Sequence, residues 1–408
     1  MDLFVISVAL LISFLLSELA NHFKYPRVVG QILAGVLIGL PVVREMIDPS
    51  AINDIEFLAE LGVIFLFLVI GMGINLDHLK QGKTNSIIIG LGGIIGSLVL
   101  GYAFGMIMDY SNFTSLVIGV CLAITSGSTN TQLFMEMGID KKRLTKVIFG
   151  AALLDDLFAI LFLTFLIAYL HNDIQDMATL PIKLIGFSAV IWALLRIMPY
   201  FITHIERDES SVAEISMMTV FGLLIAVLSI QTGLGETLGA FMAGVIIQIG
   251  ARHKCTEVCG VDQKMHQREA KFFKRNIQNL ETMTLSFIIP FFFVNMGLRL
   301  DLSKILSDPG VIVGILVVGV AGKFLPVILA QSWTKLTWPQ SQIVGWGMNS
   351  RGMIELVIAE IALENNIIAP EVYAGLVVLV IITILWYPFV LRAILKKHPH
   401  AMELKKGV

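Results

Sequence analysis

Asp155 and Asp156 stand side by side between Ala151-Ala152-Leu153-Leu154 and Leu157-Phe158-Ala159-Ile160, in the middle of an apolar run. Neighbouring residues on a helix point about 100° apart, so each carboxylate needs a partner of its own. A carboxylate in apolar surroundings is tolerated when it is protonated, when a cationic side chain pairs with it, or when it coordinates a cation from solution. A group that passes among these three states can exchange protons for cations. Two basic residues stand deep within later apolar runs, Lys323 and Arg351, and Lys323 in its apolar stretch is the natural partner for one of the aspartates.

Two further polar segments interrupt apolar runs. Thr125-Ser126-Gly127-Ser128-Thr129-Asn130-Thr131 is a row of small or polar residues that a continuous helix does not need. Hydroxyls and amides can replace lost backbone bonds, so the row predicts an unwound stretch buried in protein or lining a cavity. Packing between helices by small residues is the alternative. Adding an offset of 224 leads to Asn349-Ser350-Arg351-Gly352-Met353-Ile354-Glu355, a second polar segment in a second apolar run. Thr125, Ser126, Thr129, Asn130, Asn349, Ser350, Arg351 and Glu355 are therefore expected to line an ion pathway at two broken helices. Arg351 and Glu355 are also four apart, so an intrahelical salt bridge is the simpler reading of that pair.

The elements that must position these residues follow from composition. The chain has 408 residues, 56% hydrophobic and 15% charged, against about 25% charged in soluble domains. Its apolar residues fall into about 13 runs, most of them long enough to cross roughly 30 Å of hydrocarbon as a helix. Alternating strands of a β-barrel are not seen. The fold class is an all-α polytopic membrane protein, with Leu3 to Asn21 read as a retained first span. Loops on one side hold 22 Lys and Arg and those on the other only Arg44, Arg299 and Lys304, which places the N-terminus outside and the C-terminus in the cytoplasm of a cell membrane.

The same offset of 224 aligns Phe67–Lys80 with Phe291–Lys304, and Gly30-Gln31-Ile32-Leu33-Ala34-Gly35 matches Gly239-Ala240-Phe241-Met242-Ala243-Gly244 seven spans later. A shift of seven spans reverses orientation. The expected organisation is a transmembrane domain over 1–396, with inverted repeats 1–170 and 211–396, a linker helix 179–204, and a short cytoplasmic tail 397–408.

Other functions are set aside on physical grounds. A net charge of −2 gives no drive toward nucleic acid, and three cysteines make no disulfide framework. His253, Cys255, Cys259 and His266 have spacing that could hold zinc, but a solvated loop is the preferred reading, so no structural metal and no cofactor are expected. Glu60, Glu214 and Glu236, near span ends, read as interface or funnel groups, with ordinary snorkelling or packing as the preferred alternative. An aspartyl protease needs its carboxylates on different helices, so no enzyme is expected. A cation channel, the alternative from another class, would need an open polar path rather than charges gathered at one depth.

In this order, Tyr25-Pro26-Arg27 with Gly30-Gln31-Ile32-Leu33-Ala34-Gly35, Thr125-Ser126-Gly127, Asp155-Asp156, Leu238-Gly239-Ala240-Phe241-Met242-Ala243-Gly244, Pro290-Phe291-Phe292-Phe293, Gly322-Lys323, and Arg351-Gly352 with Glu355 resemble the monovalent cation/proton antiporters, most closely the NapA-type sodium/proton branch. The resemblance covers nearly the whole chain. It implies a homodimer in the lipid bilayer, with a mobile core built on two crossed broken helices. It also implies that Asp156 binds the cation, Na⁺ first with Li⁺ or K⁺ as alternatives, in exchange for H⁺, and that Asp155 pairs with Lys323. A K⁺/H⁺ antiporter or K⁺ efflux system of the same family is the nearest alternative, although no Gly-x-Gly-x-x-Gly fingerprint of a nucleotide-binding domain occurs.

Overall fold

The computed structural model describes residues 2–73, 83–127, 142–170, 211–257, 275–300 and 308–402, apart from Lys24 and Met46, together with Asn130, Leu133, Phe134, Met137, Ile139 and scattered positions between 183 and 196. Regular structure among the described residues is all helical. In chain order the helices of ten residues or more are α1 (Asp2–His22), α2 (Arg27–Ile38), α3 (Pro49–Gly73), α4 (Lys83–Ile107), α5 (Asn112–Cys121), α6 (Arg143–Leu170), α7 (Ile185–Leu194), α8 (Ser211–Gln231), α9 (Glu236–Glu257), α10 (Arg275–Leu298), α11 (Pro309–Leu329), α12 (Trp338–Gly347), α13 (Met353–Glu364) and α14 (Pro370–Lys397). Eight of these, α1, α3, α4, α6, α8, α10, α11 and α14, are long and apolar enough to cross a membrane. The chain is a polytopic helical membrane protein.

Proline marks where the helices begin. Pro49, Pro309 and Pro370 open α3, α11 and α14, and Pro339 lies in the first turn of α12, where a missing N–H costs nothing. Ahead of α3, the Ser50 amide and hydroxyl donate to Asp48 at 3.0 and 2.8 Å, and these bonds hold the Asp48 carboxyl below the usual carboxylate range. Inside a helix proline acts differently. Immediately before Pro290, α10 widens into a π-turn over Thr284–Ile288.

The described residues fall into two compact units, each assembled from separated stretches of chain. The first comprises Met1–Ser13, Leu40–Ile74 and Leu163–Asn295. Its main crossing is α3 on α9, where Gly71 and Gly244 let the backbones touch. A Cβ on Gly71 would strike the Phe241 carbonyl, and one on Gly244 the Leu68 carbonyl. Lipid tails are as apolar as leucine, so close backbone approach through small residues supplies the packing energy here. Within the same unit Glu214 on α8 is buried and accepts from Asn276 Nδ2 at 2.6 Å, which fits the packing role expected of it.

The second unit comprises Phe14–Gly39, Asn75–Phe162 and Met296–Val408. In it α4 crosses α11 at Ser97 and Gly322, with Pro326 against Gly96. Gly297 fits against Gly35 of α2, and the Tyr373 hydroxyl donates to the Met296 carbonyl at 3.2 Å. At the end of α10, Arg299 reaches Glu364 at 2.8 Å and Glu360 at 3.5 Å on α13. Around Phe134, Ile148, Ile343 and Met348, all at zero exposure, the unit has a continuous buried apolar core, which fixes α6 and α12 beside the break in the fifth run.

The α3–α9 crossing yields a direct test. Gly244→Val should lower stability by about 1–3 kcal/mol, the usual cost of overpacking a filled contact. The check is the thermal midpoint in detergent, followed by fluorescence-detected size exclusion, with Gly310→Val as control because a Cβ at Gly310 meets nothing within 4 Å.

Candidate ion-binding site

The fifth run is interrupted earlier than its polar row suggests. α5 ends at Cys121, a turn follows at Leu122 and Ala123, and Ile124 to Ser126 are not helical. The twelfth run breaks between α12 and α13, at Met348 to Gly352. The second break falls where the offset of 224 from the first polar row leads.

The two breaks meet. The Ser126 amide donates to the Ser350 carbonyl at 2.7 Å, and these two residues are separated by that same offset. Contact is so close that a Cβ on Gly352 would collide with the Ser126 side chain, its Oγ being 2.7 Å away. The open helix ends are then closed by side chains, most of them from across the crossing. Thr125 Oγ1 donates to the Met348 carbonyl at 2.8 Å, Asn130 Nδ2 to that of Gly347 at 2.9 Å, and Asn349 Nδ2 to that of Gly345 at 2.9 Å. On the other side Arg351 Nη1 donates to the Leu122 and Ile124 carbonyls at 2.6 and 3.0 Å, and Nη2 to the Gly319 carbonyl of α11 at 2.5 Å. Carbonyl ends of helices carry partial negative charge, so a guanidinium is suited to them.

Glu355 lies in the first turn of α13, the end with partial positive charge. Its nearest contact with Arg351 is 3.8 Å, at zero exposure for both, and neither carboxylate oxygen has a hydrogen bond. The intrahelical pair expected from spacing is thus a loose ion pair. Arg351 spends its short bonds on carbonyls instead.

Lys323 on α11 donates to Asp155 Oδ2 on α6 at 2.6 Å, with both side chains at zero exposure. Gly93 of α4 makes room for the amine, since a Cβ there would lie 3.4 Å from Nζ and 3.3 Å from Cδ. Asp156 points elsewhere and is only half-buried. Its Oδ2 lies 3.6 Å from where a Cβ on Gly127 would be, beside the first break.

One neighbourhood of the second unit therefore gathers Thr125, Ser126, Asn130, Asn349, Ser350, Arg351, Glu355, Asp155, Asp156 and Lys323. Thr129 lies outside the described residues, as do the side chains of His253, Cys255, Cys259 and His266. The contributions not read from the sequence are the Gly93 seat for Lys323 and the Leu122, Ile124 and Gly319 carbonyls that receive Arg351. A signal for the first exists in Gly90, Gly93 and Gly96, which recur every third residue along one helix.

These features define a class: a helical membrane protein with a cluster of ionisable side chains where two interrupted helices meet. The chain belongs to the family described as sodium/hydrogen exchanger, transmembrane, whose match spans residues 6–397. That is a family of transporters and not of enzymes. Among curated relatives, the chain is 26% identical over 386 residues to a Na⁺/H⁺ antiporter of Enterococcus hirae, covering 93% of this chain and 94% of that protein. It is also 26% identical over 405 residues to the Na⁺/H⁺-K⁺ antiporter GerN of Bacillus cereus, covering 99% and 98%. In fold it resembles the sodium proton antiporter MjNhaP1 of Methanocaldococcus jannaschii at pH 8, with a TM-score of 0.70 at 16% identity over 99% of both chains. The family expected from the motifs is the one found.

Carbonyl capping and ion pairing by Arg351 can be told apart. An orphaned buried carbonyl costs about 1–3 kcal/mol, so Arg351→Met should lower the thermal midpoint far more than Glu355→Gln, which breaks no hydrogen bond. Equal losses, measured side by side in detergent, would assign the stability to the ion pair.

Proposed function

We propose that this protein exchanges a monovalent cation, Na⁺ in the first place, for protons across the cell membrane, with Asp156 as the group that holds either one. A count of charge carries the reading. Asp155, Asp156 and Glu355 bring three negative charges to the cluster, and Lys323 and Arg351 bring two positive ones. The cluster is one positive charge short, and either a proton or a monovalent cation restores balance. Asp155 and Glu355 each face a protein cation, whereas Asp156 is the carboxylate left open. The hydroxyls and amides at the two breaks are the available oxygens for a partly dehydrated ion.

Alternating access at one site suits a chain built of inverted repeats, and contact details favour that reading of 1–170 and 211–396. Gly30 packs on Leu16 and Ser17, and Gly239 packs on Ile225 and Ala226, positions related by one offset of 209. Ser97 meets Gly322, and Ser126 meets Ser350, each pair close to being its own image at the 224 offset. Thirteen spans, with 179–204 as linker, remain the proposed count, α12 and α13 forming one broken span. The excess of Lys and Arg in alternate loops supports an outside N-terminus and a cytoplasmic tail from 397. Assembly as a homodimer is part of the proposal by resemblance to the family. K⁺/H⁺ exchange is the second reading, favoured by the printed activity of the Bacillus cereus relative.

Asp156→Asn should abolish exchange at a folded, monodisperse protein. Proteoliposomes carrying a pH dye and challenged with Na⁺, Li⁺ and K⁺ measure this directly. Wild-type dequenching by the variant would refute the assignment, and in the unaltered protein the same scan ranks the ions.

Lys323 decides whether the cycle moves charge. The count gives one ion for one proton while Lys323 stays charged. A cation that draws in Asp155 as a second ligand would strip Lys323 of its partner, and a desolvated unpaired lysine gives up its proton. Two protons then cross per cation, and each net charge gains about 2.3 kcal/mol per 100 mV. Na⁺-driven exchange should accordingly respond to a potassium–valinomycin potential, and Lys323→Gln should retain some transport and lose that response. Indifference of the wild type to the potential would reduce Asp155–Lys323 to a structural pair in an electroneutral exchanger.

A further inference from the structure

We propose that a groove along the last third of α14 is a binding site for one anionic phospholipid, its acyl chain against Trp386 and Phe389 and its phosphate at Lys396 and Lys397. The groove measures about 550 Å³, with Tyr25 on one wall and Ile382, Leu385, Trp386, Phe389 and Ala393 on the other. Trp386 and Phe389 are 61% and 54% exposed, and the Tyr25 ring meets Phe389 edge-on at 6.3 Å between centroids. Pro388, inside α14, cannot donate to the Ile384 carbonyl, so the helix is loosened where the groove opens.

Charge at one end selects the occupant. Positions 382, 385, 386, 389 and 393 form a single stripe, and the next turn of that stripe is Lys396 and Lys397, both exposed. At a rise of about 1.5 Å per residue they lie roughly 20 Å along the axis from Ile382, within reach of one acyl chain and its phosphate. Arg27, two residues from Tyr25, is paired with Glu18 at 2.8 Å, which leaves the two lysines in line with the groove as its positive end. An acidic headgroup complements that end, whereas a choline headgroup would bring a second cation toward it. Aromatic rings near the end of a spanning helix sit at the depth where chain and headgroup meet. The proposal rests on the chain being membrane-embedded and not on the exchange reading, so either can fail alone.

The test uses the full chain in phosphatidylcholine nanodiscs, with dibrominated lipids as quenchers of Trp386. The Trp386 signal is isolated as the difference between the wild type and Trp386→Phe. Brominated phosphatidylglycerol should reach half-quenching at a mole fraction roughly tenfold below that of brominated phosphatidylcholine. K396Q/K397Q should erase the preference, and raising the salt should narrow it in the wild type. Equal quenching by both lipids, a preference that survives the lysine substitutions or is indifferent to salt, or no quenching by either because a second copy of the chain covers the groove, would each overturn the assignment.

Discussion

Hydrocarbon offers no hydrogen bonds, and everything else in this molecule answers to that constraint. Any span that stops being a helix inside the membrane leaves amides and carbonyls that must find protein partners. Here two apolar helical runs are interrupted, and each supplies what the other lacks. Ser126 gives its amide to Ser350, Thr125 and Asn130 reach the carbonyls at the end of α12, and Arg351 reaches those at the end of α5. Neither break is tenable alone. Their mutual satisfaction explains why a polar row in one span and its counterpart 224 residues later both persist among apolar neighbours.

Once the ends are closed in this way, the charges have defined tasks. Arg351 is spent on carbonyl ends that carry partial negative charge, and Glu355 lies at the opposite, partly positive end of α13. Lys323 is spent on Asp155. A buried ion pair of this kind contributes little net stability, yet removing one partner costs about 3–5 kcal/mol because the other is left bare. Each member of the pair therefore depends on the other to remain charged in the apolar interior.

Much of this was legible in the sequence because the membrane makes polar residues conspicuous. Asp155, Asp156 and Lys323 stand out in apolar runs, and the repeat offset leads from Thr125 to Asn349 without further information. Boundaries were harder. The first break begins at Leu122 rather than Thr125, since Leu122 and Ile124 contribute carbonyls and their side chains give no polar signal. For the same reason Gly319 was missed. Arg351 and Glu355 were legible as an i,i+4 pair, but spacing could not reveal that three carbonyls outcompete the carboxylate for the guanidinium. The two compact units were also hidden, because each is drawn from segments far apart in the chain, including Phe14–Gly39 with Met296–Val408.

The adjacency of Asp155 and Asp156 has a mechanical consequence that two separated carboxylates would lack. On one helix the two side chains are fixed about 100° apart, so a single lysine on α11 can satisfy one and never both. Gly93 seats Lys323 so that its amine meets Asp155, which settles which aspartate is neutralised by the protein. Asp156 is then held by the same backbone toward Gly127, beside the first break, and is half-buried. Moving either carboxylate by one position would swing it by the same angle and break its own relation. Helix geometry thus separates the two carboxylates, Asp155 closed by Lys323 and Asp156 left facing the first break.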